Sequence, residues 1–448
     1  MSLIHPIQDI VSSEDGSLIF GIIKNEVVVF RVEEGKSQLV GKWVDELDRN
    51  EVIREKVEKE QARQIAENIT KKRKTNDESA KTIESENKTA KIPTPGLGAP
   101  TVYSHLRNVT LSHGEKLLII CADSDKSVII FDIDNDNKEN VLQLKKRQPY
   151  PKRPNAIAIS DDDKLIVIAD KFGDVYTMSV DSDVKKIDGN VEPVLGHVSM
   201  LTSIVVVKDS ENKKYIITAD RDEHIKVTHY PQTYIVKHWL FGHNEFISSL
   251  SVPQWNKTND LLLSAGGDRY LYLWNWGKNE LLSKFNYEKL IDKYITDAHL
   301  ASERFQNEEN NLREYCVSKI VSLPSNRLVA FFVEATPLLI ILKYSPEDNT
   351  LKLFQTMEFA FNIITMNVNN NQLLITLDNH ESQNKDFIKI LDFNENTDRF
   401  STNESLSNNL DTTIASTLIE DKTSHIGSTG IYPLYTTINL KKHGESYS

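Results

Sequence analysis

The chain has 448 residues, in which 53 Lys and Arg against 65 Asp and Glu give a formal net charge of −12. Because 39% of the residues are hydrophobic, a wholly disordered protein is excluded, and the acidic balance argues against strong nucleic-acid binding by this chain alone. Cys121 and Cys316 lie far apart, which excludes a disulfide framework and a Cys-rich zinc site, and no apolar run reaches the roughly 18 residues of a membrane-spanning helix.

The segment 51–91 differs from everything around it, because it contains no aromatic residue, glycine or proline. It holds eleven basic and nine acidic residues, a net charge of +2, so the rest of the chain carries −14. This composition predicts a charged, flexible insertion whose second half is disordered. A short amphipathic helix in the first half is the alternative, because apolar residues there follow a helical spacing, at Ile53, Val57, Ile65 and Ile69.

Outside the insertion one pattern recurs: an apolar triplet, a small residue, a polar turn of about five residues, and a β-branched or aromatic run. The four clearest copies are separated by 47, 50 and 46 positions, with the small residue at Ala122, Ala169, Ala219 and Ala265. This period is close to that of WD repeats, each of which holds four short strands.

Weaker copies of the same pattern at residues 21–30, 329–341 and 373–390 bring the number of units to seven. Residues 1–448 are therefore predicted to form one all-β domain, a seven-bladed WD40 β-propeller that carries the charged insertion at 51–91. Residues 395–427 are expected to be a poorly patterned loop region.

Two Gly-His dipeptides, 46 positions apart, end in histidines that each precede an aspartate by 25 positions. A serine, a histidine and an aspartate could form a hydrolase triad, but the WD pattern favours a structural network inside a blade, because buried polar groups need partners. The complete network is predicted to contain His243, Ser264, Asp268 and Trp274. A shorter network, with Thr228 where the tryptophan would stand, is predicted to contain His197, Thr218 and Asp222.

Basic residues occur in the turns after the second strands of four neighbouring units, at Lys126, Lys171, Arg221 and Arg269. They could form a patch for an acidic partner, or they could be an ordinary solvated rim.

His224 and His229 have no third metal ligand at a recognisable spacing, and residues 96–100 lack the third glycine of a cofactor loop. We therefore expect neither a metal nor a cofactor on this chain.

Several runs resemble the family of WD-repeat, non-catalytic subunits of tRNA (guanine-N7-)-methyltransferase, in its fungal form. The most specific runs are residues 195–202, 219–226 and 239–243. Further shared runs are residues 96–100, 152–157, 169–176, 304–308, 431–435 and 442–445. The resemblance covers both ends of the chain and every predicted blade.

The resemblance implies a scaffold in a heterodimer rather than an enzyme. In the family, a separate catalytic subunit binds S-adenosylmethionine and methylates N7 of a guanine in the tRNA variable loop, while the propeller stabilises and positions it. The tRNA is then expected to be held mainly by the partner, with no role for a membrane. The family is nuclear, and the basic run at residues 71–74 is typical of a nuclear localisation signal or of a solvated linker.

The resemblance also implies a docking surface around Arg221 and Lys226. Lys171 occupies the same position in the turn of the preceding unit as Arg221 does in its own, so we add it to the expected partner interface. The alternative function is a WD40 scaffold that binds a peptide or assembles a complex unrelated to tRNA. Methyl transfer by the isolated chain is predicted to be absent.

Overall fold

The computed structural model describes residues 2–74, 103–185, 191–256, 258–301, 312–370, 372–380, 385–418, 420–421 and 431–442. The second half of the insertion (residues 75–91) and the runs at 96–100, 304–308 and 443–445 lie outside these ranges, as do the side chains of residues 71–74.

The described residues contain thirty strands and three α-helices. After β1 (Ser2–Leu3), blade 1 consists of β2 (Asp9–Ser12), β3 (Leu18–Ile23), β4 (Glu26–Glu33) and β5 (Lys36–Val44). Helix α1 (Arg49–Lys74) leads to blade 2, which consists of β6 (Leu106–Leu111), β7 (Leu117–Ala122), β8 (Ser127–Ile133) and β9 (Leu142–Pro149). Blade 3 consists of β10 (Pro154–Ile159), β11 (Leu165–Asp170), β12 (Asp174–Ser179) and β13 (Leu195–Gly196).

Blade 4 consists of β14 (Leu201–Lys208), β15 (Lys214–Asp220), β16 (Ile225–Tyr230) and β17 (Val236–Leu240). Blade 5 consists of β18 (Ile247–Ser251), β19 (Leu261–Gly266), β20 (Tyr270–Asn275) and β21 (Glu280–Asn286), and is followed by the short helix α2 (Glu288–Ile291). Blade 6 consists of β22 (Val317–Leu323), β23 (Leu328–Val333), β24 (Leu338–Ser345) and β25 (Thr350–Glu358). Blade 7 consists of β26 (Ile363–Val368), β27 (Gln372–Leu377), β28 (Ile388–Asn394) and β29 (Arg399–Thr402), and is followed by α3 (Glu404–Thr417) and β30 (Glu420–Asp421).

Strands β2 to β29 form seven antiparallel sheets, and each sheet contains four strands that are consecutive in sequence. The seven-bladed all-β propeller predicted from the repeats is confirmed. The four alanines that revealed the period lie in the second strands of blades 2 to 5.

The middle strands are apolar runs because neighbouring blades cover both of their faces. All six residues of β7 and all six of β19 are buried, whereas β21, the outer strand of blade 5, contains only exposed and half-buried residues. Apolar clusters fill the space between successive blades, as between blades 4 and 5, where Ile217 and Val227 meet Leu262 and Trp274.

Packing of blade 7 against blade 1, with helix α3 laid across the junction, closes the ring. The side chain of Asn409 in α3 accepts hydrogen bonds from the backbone and hydroxyl of Ser37 in blade 1, at 2.6 and 2.7 Å. The carboxylate of Asp411 accepts from the backbone N–H groups of Phe387 and Ile388 in blade 7, at 2.7 and 3.0 Å. Strands β1 and β30 pair with each other and join the two ends of the chain.

The expectation of a poorly patterned loop region at residues 395–427 is wrong over its described part, where strand β29 and helix α3 form. Residues 419 and 422–427 lie outside the described residues. Leu406, Leu410, Ile414 and Leu418 recur every four positions and pack on the junction between blades 7 and 1. The side chain of Asn403 accepts from the backbone N–H of Leu406 at 3.0 Å and caps the start of the helix. Ser, Thr and Asn between the apolar positions hide this periodicity in the sequence.

The first half of the insertion forms helix α1, which was the alternative to a flexible segment. Ion pairs one turn apart support it, among them Glu55 with Lys59 at 3.6 Å and Glu60 with Arg63 at 2.9 Å. None of the helix residues with described side chains is buried, so α1 contributes little to the core.

Replacing Leu410 by alanine should weaken ring closure, because Leu410 is fully buried in the cluster that joins α3 to blades 7 and 1. We expect the free energy of unfolding to fall by about 2–5 kcal/mol in chemical denaturation. Ser416→Ala, on the exposed face of the same helix, should change it by less than about 0.5 kcal/mol, and equal losses for the two variants would contradict this account.

Candidate partner-docking surface

The blade 5 network forms with all four of its predicted members in contact. Nδ1 of His243 lies 2.7 Å from Oδ2 of Asp268, and Nε2 lies 2.7 Å from Oγ of Ser264. The indole N–H of Trp274 donates to the same Oγ at 2.8 Å. Ser264 is 0% exposed, so no substrate can reach its hydroxyl, and the group is structural despite its resemblance to a catalytic triad.

The blade 4 network uses a different aspartate from the predicted one. His197 contacts Oδ2 of Asp220 at 2.8 Å and Oγ1 of Thr218 at 2.7 Å, whereas Asp222 accepts from the hydroxyl of Ser199 at 2.8 Å. Asp220 ends strand β15 where Gly266 ends β19, so blade 4 has a carboxylate 23 positions after its histidine, at a place where blade 5 has a glycine. Counting a fixed spacing of 25 positions therefore selected the wrong aspartate.

Hydrogen bonds favour the ionised form of the buried Asp220 carboxyl. Burial alone would raise the pKa of Asp220, but hydrogen bonds from His197 and from the backbone of His224 hold it below the usual value. Thr228 stands opposite Ile216 as Trp274 stands opposite Leu262, and its buried hydroxyl has no hydrogen-bond partner among the described residues. The network of blade 4 is shortened there, as predicted.

Lys226 is placed inside blade 4 rather than at its surface. It pairs with Thr218 as Tyr272 pairs with Ser264 in blade 5. Its Nζ donates to the carbonyl of Gly196 at 2.6 Å, just as the Tyr272 hydroxyl donates to Gly242 at 3.0 Å. Lys226 is 8% exposed, so most of its side chain is unavailable to a partner.

Lys171 is exposed on the turn between β11 and β12, beside the ring of Phe172. Nζ of Lys171 lies 5.3 Å from the ring centroid of Phe172, and Nζ of Lys152 lies 4.2 Å from it. Burial, together with the nearby charges of Arg153 and Arg49, lowers the pKa of Lys171. Asp123, the carboxylate that acts on Lys171, pairs instead with Arg107 at 2.9 Å and Arg153 at 3.6 Å. No ion pair of Lys152 or Lys171 occurs among the described residues, so both charges are available at this rim.

Exposed apolar side chains lie beside these cations, on the rim of blades 3 and 4. Phe172 is 54% exposed, Phe241 is 67% exposed and Val198 is fully exposed. The Phe172 turn contacts the loop of Val198 directly, because the backbone N–H of His197 donates to the carbonyl of Gly173 at 2.8 Å. Gly173 has φ +103°, and a Cβ there would lie 2.3 Å from the carbonyl oxygen of His197, so only glycine permits this approach.

Arg221 is held by the last described segment of the chain. Residues 431–442, here called the C-terminal strap, cross the face of the ring that carries the turns after the second strands. The Arg221 guanidinium donates to the carbonyls of Leu440 and Lys441, the latter at 3.1 Å. At the other end of the strap, the backbone N–H of Tyr432 donates to Nε2 of His5 at 3.0 Å.

The central channel lies beneath the strap and has a volume of about 540 Å³. The first strands of all seven blades line it, with polar residues such as Asn108, Thr202 and Thr365, and Pro433 and Leu434 of the strap lie at one end. In the part of the chain that the structure describes, no group of three or more His, Cys, Asp or Glu could hold a metal ion, and no helix could span a membrane.

Comparison with known proteins decides the family. The family described as "tRNA methyltransferase TRM82 WD40 domain" matches residues 19–190 and 180–397. The chain is 49% identical to the "tRNA (guanine-N(7)-)-methyltransferase non-catalytic subunit TRM82" of Kluyveromyces lactis, over 100% of both chains. This chain belongs to the TRM82 family. The resemblance drawn from the sequence is confirmed.

Other relatives agree with this assignment. The protein of the same name from Saccharomyces cerevisiae is 45% identical, again over 100% of both chains. Because these TRM82 relatives are named non-catalytic subunits, the prediction that the chain is not an enzyme is confirmed. Among solved structures, the one titled "Structure of U3-55K" covers 84% of this chain and 89% of its own with a TM-score of 0.55 and 15% identity, which shows the fold alone.

Sequence reasoning found the cations of this surface but missed its apolar part and the strap. Phe172 and Phe241 stand in otherwise polar turns, which is a signal that could have been read. The contacts of Arg221 join residues about 220 positions apart and leave no local signal.

Asp220→Asn should destabilise the protein more than Asp222→Asn, because Asp220 accepts from His197 and from two backbone N–H groups. We expect the free energy of unfolding to fall by about 1–3 kcal/mol for Asp220→Asn and by less than about 1 kcal/mol for Asp222→Asn, measured by chemical denaturation. The reverse order would show that Asp222 is the partner of His197.

Acid should loosen the attachment of the strap through His5. Burial lowers the pKa of His5 from 6.5 to about 4, so the folded state favours the neutral ring, which donates through Nδ1 to Pro6 and accepts from Tyr432. The resulting stability is present above pH 6.5 and is lost as the pH falls to about 4, at most about 3 kcal/mol. His5→Gln, which does not titrate, should reduce the loss of unfolding free energy over this range, and an unchanged pH profile would contradict the assignment.

Proposed function

We propose that this chain is the non-catalytic subunit of a heterodimeric tRNA (guanine-N7-)-methyltransferase, acting in the nucleus. The observation that carries the proposal is full-length similarity to proteins of that name, over 100% of both chains. In this proposal the catalytic subunit binds S-adenosylmethionine and methylates the guanine in the tRNA variable loop. The propeller stabilises that subunit and positions it.

The proposed docking surface is the rim of blades 3 and 4. It combines the exposed apolar side chains Phe172, Val198 and Phe241 with the cations Lys171 and Arg221. A patch of apolar residues flanked by charge is typical of protein interfaces, and its charge fits an acidic surface on the catalytic subunit.

Lys226 supports this surface from inside. Its bond to Gly196 holds the loop that presents Val198, and its Nζ lies 5.2 Å from the ring centroid of Trp239. Trp239 in turn stacks on Phe241, with ring centroids 6.4 Å apart. We therefore assign Lys226 to positioning, and Lys171 and Arg221 to contact with the partner.

The charge of the chain supports a mainly indirect role in tRNA binding. A net charge of −12 opposes a polyanion over most of the surface, so the catalytic subunit is proposed to supply most phosphate contacts. The cations around Phe172 are too local to hold a tRNA unaided.

Reversing the charge of the proposed contacts should break the heterodimer. Arg221→Glu and, separately, Lys171→Glu should fold but should no longer co-purify with the catalytic subunit, because each places a carboxylate against an acidic surface. Among the described residues, the strap bonds to Arg221 and no hydrogen bond or ion pair joins it to Lys171, so Lys171→Glu separates partner contact from strap attachment. Lys352→Glu makes the same charge change on blade 6, where Lys352 pairs with Asp348, and should co-purify normally.

The reaction itself gives the decisive functional test. Deletion of the gene should remove N7-methylguanine from tRNA, and re-expression of the wild-type chain, but not of Lys171→Glu, should restore it. Unchanged tRNA methylation on deletion would favour a scaffold unrelated to tRNA.

A further inference from the structure

The C-terminal strap is anchored far from Arg221, on blades 6 and 7. The carboxylate of Glu334 accepts from the backbone N–H groups of Thr437 and Ile438, at 2.7 and 3.0 Å. The hydroxyl of Tyr435 donates to Asp378 at 2.7 Å. Glu334 is 5% exposed, so its two hydrogen bonds are shielded from water and fix the backbone that leads to the rim of blades 4 and 5.

At that rim the strap brings two lysines onto carboxylates of the propeller. Nζ of Lys441 lies 3.0 Å from Glu245 and 4.0 Å from Glu314, and Lys442 pairs with Asp222. Asp222 directly follows Arg221 in the sequence. Without the strap lysines, three carboxylates would therefore oppose an acidic partner beside Arg221.

The strap orients Arg221 without cancelling its charge. The acceptors of the guanidinium are the carbonyl oxygens of Leu440 and Lys441, which are neutral. A carboxylate acceptor would also have fixed the Arg221 side chain, but it would have neutralised the positive charge of the guanidinium. No carboxylate lies within 4 Å of Arg221 among the described residues, so its positive charge remains effective at the surface.

We propose that the C-terminal strap is part of the docking surface and makes it attractive to an acidic face of the catalytic subunit. Lys441 and Lys442 offset the carboxylates of blades 4 and 5, while the strap carbonyls present Arg221. The inference rests on the proposed function, because it takes the methyltransferase as the partner. Its main effect is on the rate of association, since charges at the rim of an interface act chiefly before contact.

The test is a double variant, Lys441→Ala with Lys442→Ala, in the full-length chain. The backbone hydrogen bonds to Glu334 and the Tyr435 hydroxyl bond to Asp378 remain, so the strap stays attached while its two charges are removed. We expect the Kd for the catalytic subunit to rise on the order of tenfold, mainly through slower association. The dependence of association on salt, from about 50 to about 300 mM, should become shallower.

The control is Lys343→Ala with Lys352→Ala, which removes two positive charges on blade 6 that pair with Asp398 and Asp348. Its Kd should stay within about twofold of the wild type. The charge-conserving double variant Lys441→Arg with Lys442→Arg should also bind like the wild type. Thermal unfolding of all variants establishes that they are folded.

Unchanged affinity of the alanine double variant would overturn the inference, as would equal weakening by the arginine double variant. If wild-type chain does not bind the methyltransferase at all, the proposed function fails instead. Binding by the wild type that is lost in Lys171→Glu but kept in the alanine double variant would leave the proposed function standing and reject the role of the strap.

Discussion

Burial of the middle strands on both faces is the constraint on which the whole structure depends. A strand such as β7 or β19 has no exposed residue, so each blade requires a neighbour on both sides. Seven blades of consecutive strands meet this requirement only when blade 7 packs on blade 1. Helix α3 and the pair of β1 with β30 provide that closure, and the same closed ring brings the turns of blades 3 and 4 together as one rim.

The repeat could be predicted from the sequence because its causes are local. Each blade needs an apolar second strand, a polar turn and an apolar third strand, and the four alanines recur because the blades have nearly equal length. The network of His243 with Ser264 and Trp274 followed from the same regularity. Helix α3 was missed although its apolar positions recur every four residues, because polar residues between them masked the period.

Contacts that depend on the closed ring could not be predicted in this way. His197 selects Asp220 over Asp222 because of where β15 ends, which a fixed spacing cannot express. In the sequence Lys226 resembles a surface cation. In the structure it pairs with Thr218, and its side chain lies inside the blade and donates to Gly196. The partners of Arg221 are strap carbonyls from the other end of the chain, and only the folded ring brings them together.

The net charge describes the surface poorly where function is concerned. A chain of charge −12 presents a local rim of cations and exposed aromatic rings, and the strap lysines extend that rim over carboxylates of blades 4 and 5.

Hydrogen–deuterium exchange of the chain, alone and with the catalytic subunit, tests most directly whether this rim is the docking surface. The account predicts new protection at residues 170–174, 196–199, 221–224, 239–243 and 438–442. Protection confined to the opposite face, such as the turn at residues 345–350, would contradict it.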